Sequence, residues 1–386
     1  MPVRPSFCEA LERRILILDG AMGTMVQALG CQSENTDELN LSRPSLIGTI
    51  LRQYAEVGAD IITTNSFGCN ALVQRRHNRS EDAPAMALAA ARLARRAADE
   101  EYARRLASGE NRPVYVAGSI GPTGLSLTMA TDASDPSLRE SDFLSFKEAA
   151  KAQIAALVEG GVDLIQLETC FDALNTKAAI CALEELGCSL PVIISATVSD
   201  RSGRMLTGQT LEAFYHSVRH CPHLAAFGLN CALGAAAMRP LVEEVARFSD
   251  LPLVFYPNAG IPDEMGRYNE SPEEMASVMR SLAQDGLLNI AGGCCGTTPA
   301  HIRALTGALA GLEPRAFGGS DANPAEAPSG EVLTVSGLEA YRIDASVSFT
   351  NVGERANVTG SRKFARLIAS GDYEQALSVA AAQVAG

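Results

Sequence analysis

Eight short apolar runs, each followed by a stretch of helical composition, restrict the fold of this chain more than any other feature of its sequence. Clusters of β-branched and apolar residues of this length favour buried strands. The predicted strands are residues 15–18, 60–64, 114–118, 163–167, 192–197, 225–229, 253–256 and 288–291. The predicted helices are residues 45–57, 83–107, 143–159, 175–186, 211–218, 235–248, 272–284 and 299–309. This alternation predicts an α/β fold in which a parallel sheet closes into a (β/α)8 TIM barrel. An open, doubly wound parallel sheet is the alternative.

Polar and glycine-rich sequence follows most of the predicted strands. In a (β/α)8 barrel all of these loops lie on the C-terminal rim, where active sites are built. The candidate site residues in them are Asp19, Gly20 and Ala21 after the first strand, Asn65 and Ser66 after the second, Glu168 at the fourth, Cys231 after the sixth, and Cys294 and Cys295 after the eighth. The sequence therefore predicts one functional site on this rim.

Three of these residues are cysteines in glycine-containing loops. Cys231 ends Gly-Leu-Asn-Cys, and the pair Cys294-Cys295 has glycines on both sides. Thiolates favour zinc, and three of them leave one position of a tetrahedral ion open for a substrate thiol. Core packing and a vicinal disulfide are the alternatives. The flanking glycines and the shared rim favour Cys231, Cys294 and Cys295 as zinc ligands and as the centre of catalysis.

Two acidic residues at the rim indicate a second part of the site. Asp19 follows the first strand, and Glu168 ends the fourth. Alone, Asp19 could be a turn residue or a helix N-cap, and a buried Glu168 would be costly without a partner. Together the two carboxylates suit a substrate ammonium group. The glycine beside Asp19 allows backbone N–H groups to approach a substrate carboxylate, so the sequence predicts an amino-acid pocket.

Composition limits the other classes of function. The net charge is −13, so the chain has no basic surface of the kind that binds nucleic acid or an anionic membrane. No apolar run approaches the ~18 residues of a membrane span, and the first residues do not resemble a signal peptide. Ten cysteines in 386 residues are too few for a disulfide scaffold. We therefore expect a cytoplasmic protein, in which clustered cysteines bind metal or react more often than they cross-link.

The composition changes after the predicted barrel. Residues 1–312 are predicted to form the barrel, and residues 313–340 a linker rich in Gly, Pro, Ala and Ser. A new folded pattern begins near Ala345, with short helical segments near residues 363–368 and 373–384. Residues 341–386 are therefore predicted to be the start of a second domain, which is too short to bury much core alone.

Four motifs of the predicted barrel resemble the zinc-dependent homocysteine methyltransferases. They are Asp19-Gly20-Ala21-Met22-Gly23-Thr24, Thr64-Asn65-Ser66-Phe67, Gly228-Leu229-Asn230-Cys231 and Gly292-Gly293-Cys294-Cys295-Gly296. The resemblance runs over about residues 10–310, and the family fold is a (β/α)8 barrel. It implies that Cys231, Cys294 and Cys295 bind zinc and that Asp19 and Glu168 hold the amino group of homocysteine.

The sequence Gly-Glu-Arg-Ala-Asn-Val-Thr-Gly-Ser at residues 353–361 indicates a branch of this family. It resembles the opening of the methyltetrahydrofolate-binding barrel of cobalamin-dependent methionine synthases, although Ala356 stands where that motif usually has Thr. The resemblance implies that residues 341–386 begin a second, pterin-binding (β/α)8 barrel. It also implies that methylcobalamin, on a partner module or on further residues, passes the methyl group of methyltetrahydrofolate to homocysteine.

Two other functions remain open from the sequence. One is a homocysteine methyltransferase that uses a direct small donor such as betaine or S-methylmethionine. The other is a non-catalytic zinc-binding or thiol-binding barrel. An open metal position beside an amino-acid pocket favours catalysis over the second, because a structural zinc is closed by a fourth protein ligand.

Overall fold

Eight parallel strands form one closed sheet in the computed structural model, which describes residues 3–132, 134–135, 138–317, 332–344, 346–347, 349–350, 352 and 356–385. The strands are β1 (Leu16–Ile17), β2 (Ile61–Thr63), β3 (Tyr115–Ile120), β4 (Leu164–Cys170), β5 (Val192–Ala196), β6 (Leu224–Gly234), β7 (Leu253–Asn258) and β8 (Ile290–Ala291). Each strand pairs with the next in parallel, and β8 pairs with β1. A parallel bridge between Leu18 and Ile61 joins β1 to β2 and completes the circle. The predicted barrel is confirmed.

One helix precedes β1, and the others follow the strands around the outside of the sheet. They are α1 (Phe7–Arg13), α2 (Met22–Ala28), α3 (Leu39–Ser42), α4 (Pro44–Glu56), α5 (Ala71–Gln74), α6 (Ala83–Ala107), α7 (Phe143–Glu159), α8 (Ala173–Glu185), α9 (Leu211–Val218), α10 (Ala235–Phe248), α11 (Pro272–Gln284) and α12 (Pro299–Leu309). No helix in the described residues is long and apolar enough to cross a membrane.

Alternate residues of the strands fill the inside of the barrel. This inner cluster contains residues of all eight strands, such as Leu164 of β4 and Val254 of β7. Helix α1 closes the amino-terminal end, where its Phe7 packs edge-to-face on Tyr115 with ring centroids 5.7 Å apart. Because strand side chains alternate in direction, later positions of the same strands point inward at the opposite end. The inside of the barrel is therefore packed at one end and open to polar groups at the other.

Four strands run further towards the rim than the sequence predicted, and β3, which ends at Ile120, is one of them. β4 extends to Cys170, β6 to Gly234 and β7 to Asn258. The register shifts within the added part of β4 and of β6. The predicted site residues of these strands therefore belong to irregular strand ends rather than to free loops.

The remaining described residues form small elements. Strands β9 (Leu333–Ser336) and β10 (Ala340–Ile343) make a hairpin, and helices α13 (Arg362–Ser370) and α14 (Tyr373–Ala385) follow. The predicted linker to residue 340 therefore contains a strand, and residues 318–331 of it lie outside the described residues. The described residues after 332 do not include a second barrel, and Gly353, Glu354 and Arg355 of the branch motif are not among them.

The chain divides into two compact units. One is Met1–Ala325 with Val335–Ala340, and the other is Glu326–Thr334 with Tyr341–Gly386. In the first unit, the tip of the hairpin bonds to the residues before α9. The Thr210 N–H donates to the Leu338 carbonyl at 2.9 Å, and the Gln209 amide donates to the Gly337 carbonyl at 2.8 Å. The predicted domain boundaries at residues 312 and 340 stay predictions.

Candidate metal and amino-acid site

The three predicted cysteines converge at the carboxyl ends of β6 and β8. The Sγ atoms of Cys231, Cys294 and Cys295 all lie within 4.8 Å of one another. All ten cysteines of the chain are free thiols, so the adjacent pair is not a vicinal disulfide in this structure. Among the residues that the structure describes, this is the one cluster of His, Cys, Asp or Glu side chains close enough to share a metal ion.

A strained turn brings Cys231 to the other two. Cys231 and Ala232 have φ values of 59° and 64°, in the left-handed region that residues other than glycine rarely adopt. The register between β6 and β7 shifts between Cys231 and Gly234. Such a bulge breaks the alternation of side chains and re-aims the residue within it. Backbone strain of this kind persists where the surrounding structure holds it, and it concentrates at functional sites.

The three thiols interact strongly with one another. Hydrogen bonds from Cys231 and then Cys294 lower the pKa of Cys295 to about 3. Hydrogen bonds with Cys231 and then Cys295, together with burial, raise the pKa of Cys294 well above its usual value. One thiolate is thus stabilised by two neighbouring protons. Three thiolates at these distances would repel one another, so full ionisation of the cluster requires a cation among them. The donor set fits zinc, which prefers sulfur ligands in tetrahedral sites.

A buried amide at the end of β7 provides a further polar atom. Asn258 is 4% exposed, and its Oδ1 has no hydrogen-bond partner among the described residues. The preceding residue, Pro257, pairs with Cys231 across β6 and β7. Val254 and Tyr256 point into the barrel, so Asn258 points inward by the same alternation. A buried polar atom without a partner needs an explanation, and an absent ligand is one.

Asp19 lies at the end of β1 and is 2% exposed. Its carboxylate accepts hydrogen bonds from the Thr63 N–H at 2.8 Å and the Thr63 hydroxyl at 3.0 Å. Burial raises its pKa to about 7 despite these bonds, and the nearby charge of Glu168 adds to the rise. Asp19 is therefore poised between the neutral and ionised forms near neutral pH.

Glu168 faces Asp19 from the end of β4. Its carboxylate accepts a hydrogen bond from the Ser119 hydroxyl. Burial raises its pKa, and the Ser119 bond opposes the rise. Two carboxyl groups with raised pKa values, Asp19 buried and Glu168 half-buried, favour a cation between them, because a positive charge stabilises both ionised forms. Among the described residues, no Lys or Arg side chain lines the cavity that they share.

That cavity has a volume of about 290 Å³ and opens at the rim. It brings together seven of the nine predicted site residues: Asp19, Gly20, Ala21, Asn65, Glu168, Cys294 and Cys295. Gly20 is required at its position, because an added Cβ would lie 2.7 Å from Thr297 Oγ1. The Asn65 side chain donates to the Thr36 carbonyl at 2.8 Å and to Asn40 Oδ1 at 3.1 Å. Its amide group therefore supports the cavity wall.

The other two predicted residues, Cys231 and Ser66, are not among the residues that line this cavity. Cys231 belongs to the sulfur cluster but does not line the cavity. Ser66 is fully buried, and its hydroxyl donates to the Ser119 carbonyl at 2.7 Å. Thr64 Oγ1 shares a hydrogen bond with the same hydroxyl at 2.6 Å. Ser66 thus ties β2 to β3, and direct contact with a substrate is not part of this geometry.

The structure adds two polar residues that the sequence reasoning missed. Gln166 and Tyr256 line the cavity beside Glu168. Gln166 lies on β4, two residues before Glu168, and Tyr256 lies on β7. The Gln166 amide donates to the Tyr256 hydroxyl at 3.1 Å. Positions at spacing two along a barrel strand share the inner face, so the spacing of Gln166 from Glu168 was a usable signal. Nothing in the sequence distinguishes Tyr256 from a core tyrosine.

A parallel eight-stranded barrel with a polar cavity at its C-terminal rim is the architecture of a TIM-barrel enzyme. The family model for homocysteine S-methyltransferase matches residues 16–309, and the chain belongs to that family. It is therefore a methyltransferase. The match ends before residues 353–361, where the resemblance to methionine synthases lies.

Solved structures of a homocysteine methyltransferase, MmuM from Escherichia coli, are similar to this chain. The apo form of MmuM is 27% identical with a TM-score of 0.57, and 77% of this chain and 97% of that chain are covered. The metallated form is 24% identical with a TM-score of 0.64, and 77% and 96% of the two chains are covered. The oxidised form is also 24% identical with a TM-score of 0.64, over 76% and 95%.

Proposed function

We propose that the chain is a zinc-dependent homocysteine S-methyltransferase that forms methionine. One observation supports this most directly. The cavity that is lined by the carboxyl groups of Asp19 and Glu168 is also lined by Cys294 and Cys295 of the sulfur cluster. Homocysteine has an ammonium group at one end and a thiol at the other, so its two ends match the two parts of the cavity.

The carboxyl groups select and orient the amino-acid end. The substrate ammonium binds between Asp19 and Glu168, and its charge favours the ionised form of both. Thr63 and Ser119 hold these carboxylates in place through the hydrogen bonds to their oxygens. With the ammonium fixed, the side chain of the substrate extends along the cavity towards Cys294 and Cys295. Holding the reacting atom near its target in this way lowers the entropic part of the barrier.

Cys231, Cys294 and Cys295 would hold the zinc ion. Bound zinc supplies a Lewis acid that lowers the pKa of a thiol from its usual ~8.5, so that the substrate reacts as a thiolate at neutral pH. Asn258, whose Oδ1 has no hydrogen-bond partner among the described residues, would be a candidate oxygen donor to the same ion. The strained turn at Cys231 and the rigid strand ends fix the three sulfur positions in advance.

The reaction is a substitution at the methyl carbon. The homocysteine sulfur forms a bond to that carbon, the bond to the donor breaks, and its electron pair leaves with the donor. The thiol proton is released to solvent. The cavity opens at the rim, so the donor approaches from that side. The thioether product is a weaker ligand than a thiolate, which favours its release.

Two classes of donor are compatible with this site. Methylcobalamin, carrying the methyl group of methyltetrahydrofolate, is supported by the resemblance of residues 353–361 to methionine synthases. A direct small donor such as S-methylmethionine or betaine is supported by the likeness to MmuM. The match covers 97% of that methyltransferase, so the shared barrel is nearly the whole of it. We favour methylcobalamin as the donor to test first, because residues 341–386 extend beyond the barrel shared with MmuM.

The test is methionine formation from homocysteine by the purified full chain, with bound zinc measured in the same samples. Methylcobalamin, S-methylmethionine and betaine are supplied separately. We expect one zinc per chain and zinc-dependent turnover with methylcobalamin. Cys294→Ser should lose both zinc and turnover, whereas Cys8→Ser, which changes an exposed cysteine away from the rim, should lose neither. Turnover without bound metal would contradict the proposal, and turnover with a small donor alone would replace its donor.

A further inference from the structure

The side chain of Asn230, the residue before Cys231, has one orientation that its neighbours allow. The Thr169 backbone N–H, which can only donate, lies 2.8 Å from Asn230 Oδ1. This fixes which end of the carboxamide is oxygen. Asn230 Nδ2 therefore faces the Thr169 hydroxyl oxygen at 2.9 Å and Cys294 Sγ at 4.0 Å. An N–H group of the fully buried Asn230 is thus directed at a sulfur of the cluster.

A chain of hydrogen bonds behind Asn230 keeps this orientation. The Ser195 hydroxyl lies 2.9 Å from Asn230 Oδ1 and must donate to it. Since Ser195 has one proton, it accepts from the Tyr256 hydroxyl, with which it also shares a hydrogen bond. Tyr256 in turn accepts from the Gln166 amide at 3.1 Å. Every hydrogen bond in this series is donated in the direction from Gln166 to Asn230. The last N–H groups of the series, on Asn230 Nδ2, therefore point at Thr169 Oγ1 and Cys294 Sγ.

Asn230 also lies between two strained backbone positions. Thr169 and Cys231 have φ values of 58° and 59°. Thr169 follows Glu168 directly, and its N–H and its hydroxyl both bond to Asn230. Cys231 follows Asn230 in the chain. One side chain thus connects the strained turn of the carboxylate half of the site to the strained turn of the sulfur half.

We propose that Asn230 is a positioning residue for thiol activation, which holds the Thr169 turn beside Glu168 and directs an N–H at Cys294 Sγ. The inference depends on the proposed zinc site. A donor aimed at a sulfur ligand stabilises its charged form, which is the form that binds metal. The same side chain sets the distance between the ammonium-binding and sulfur ends of the cavity, so it acts on both metal affinity and substrate fit.

Asn230→Asp is the decisive variant, because it keeps the shape and the acceptor for Thr169 and Ser195 but removes the donor to Cys294. Loss of an outer partner of a metal ligand typically costs about 10–100-fold in metal affinity. We expect that loss for zinc, measured by competition with a chromophoric chelator. We also expect kcat with homocysteine to fall more than KM rises, since the sulfur is affected more directly than the ammonium.

Asn289→Asp provides a matched control at the opposite end of the barrel. Asn289 is also fully buried, accepts from the Leu253 N–H at 2.7 Å and donates to the Arg315 carbonyl at 2.7 Å. The control should lower the melting temperature without changing zinc affinity. If Asn230→Asp folds and binds zinc as the wild type does, with unchanged kcat and KM, the inference is wrong.

Ser195→Ala covers the case in which Asn230→Asp does not fold. It leaves Asn230 in place and removes one of the two donors that fix its oxygen. We expect a smaller loss of zinc affinity, about 3–10-fold. Unchanged affinity in this variant would overturn the inference on its own. A wild-type chain that binds no zinc would instead contradict the proposed function, so the two failures are distinguishable.

Discussion

At the scale of single residues, Asp19 makes the stability of the metal-free protein depend on pH. Burial raises its pKa from 3.8 to about 7. Because the folded state holds this proton more tightly than the unfolded chain, stability is lost as the pH rises from about 4 to about 7. We expect Asp19→Asn to lack this loss, so that its free energy of unfolding in urea falls less than that of the wild type between pH 5 and pH 8. Equal falls in both proteins would contradict the assignment.

Variants at Glu168 and Ser66 distinguish a residue that contacts the substrate from one that only supports the cavity. Glu168→Gln keeps a partner for the Ser119 hydroxyl but removes the negative charge next to the substrate ammonium. A hydrogen bond to a charged group is worth about 1.5–3 kcal/mol, so we expect KM for homocysteine to rise about 10–100-fold. Ser66→Ala should leave KM within about twofold and cost about 1 kcal/mol of stability. A large rise in KM for Ser66→Ala would instead indicate that Ser66 takes part in substrate binding.

The residue types of the site could be predicted from the sequence, but the conformations that assemble them could not. Asp19, Glu168 and the three cysteines were predicted from their place after predicted strands and their chemistry, and the structure places them near one another. The left-handed backbone at Cys231 and Ala232 has no signal in those residue types, which rarely adopt it. The role of Ser66 also depends on a tertiary contact, the bond to Ser119.

At the scale of secondary structure elements, the close approach of α6 and α7 depends on Gly160. An added Cβ there would lie 2.3 Å from the Ala91 side chain. We expect Gly160→Ala to lower the free energy of unfolding by about 1–3 kcal/mol, because the helices must separate. Gly307→Ala in α12 is the control, since an added Cβ meets no atom of the described part of the chain within 4 Å. It should instead raise stability by about 0.5–1 kcal/mol, because alanine favours a helix. Urea unfolding of both variants tests the contrast.

The long helices and the strands of the barrel were predictable because periodicity and composition specify them locally. Helix α1 was missed, although Ser6 and Glu9 form the capping box that marks its start. The hairpin β9–β10 was missed because flanking Gly, Pro and Ser suggested a linker. Extension of β6 past Cys231 was also missed, since a register shift depends on the neighbouring strand rather than on local sequence.

At the scale of the whole molecule, the barrel contains every residue of the proposed site. All eight strands and α12 end by Leu309, and the hairpin tip adds hydrogen bonds to Gln209 and Thr210. We expect a chain truncated after residue 317 to fold, bind one zinc and bind homocysteine with unchanged affinity. Its melting temperature should fall by a few degrees, because the hairpin bonds are lost.

The same truncation tests whether residues after 317 are needed for methyl transfer from methylcobalamin. Free methylcobalamin needs no residue of 341–386 to bring it to the proposed site. If those residues take no part in methyl transfer, the truncated and full chains should form methionine from it at equal rates. Methionine formation, bound zinc and melting temperature are measured on both chains. A truncated chain that melts cooperatively but loses zinc would show that residues after 317 complete the metal site. One that keeps zinc but loses turnover would assign them a part in methyl transfer.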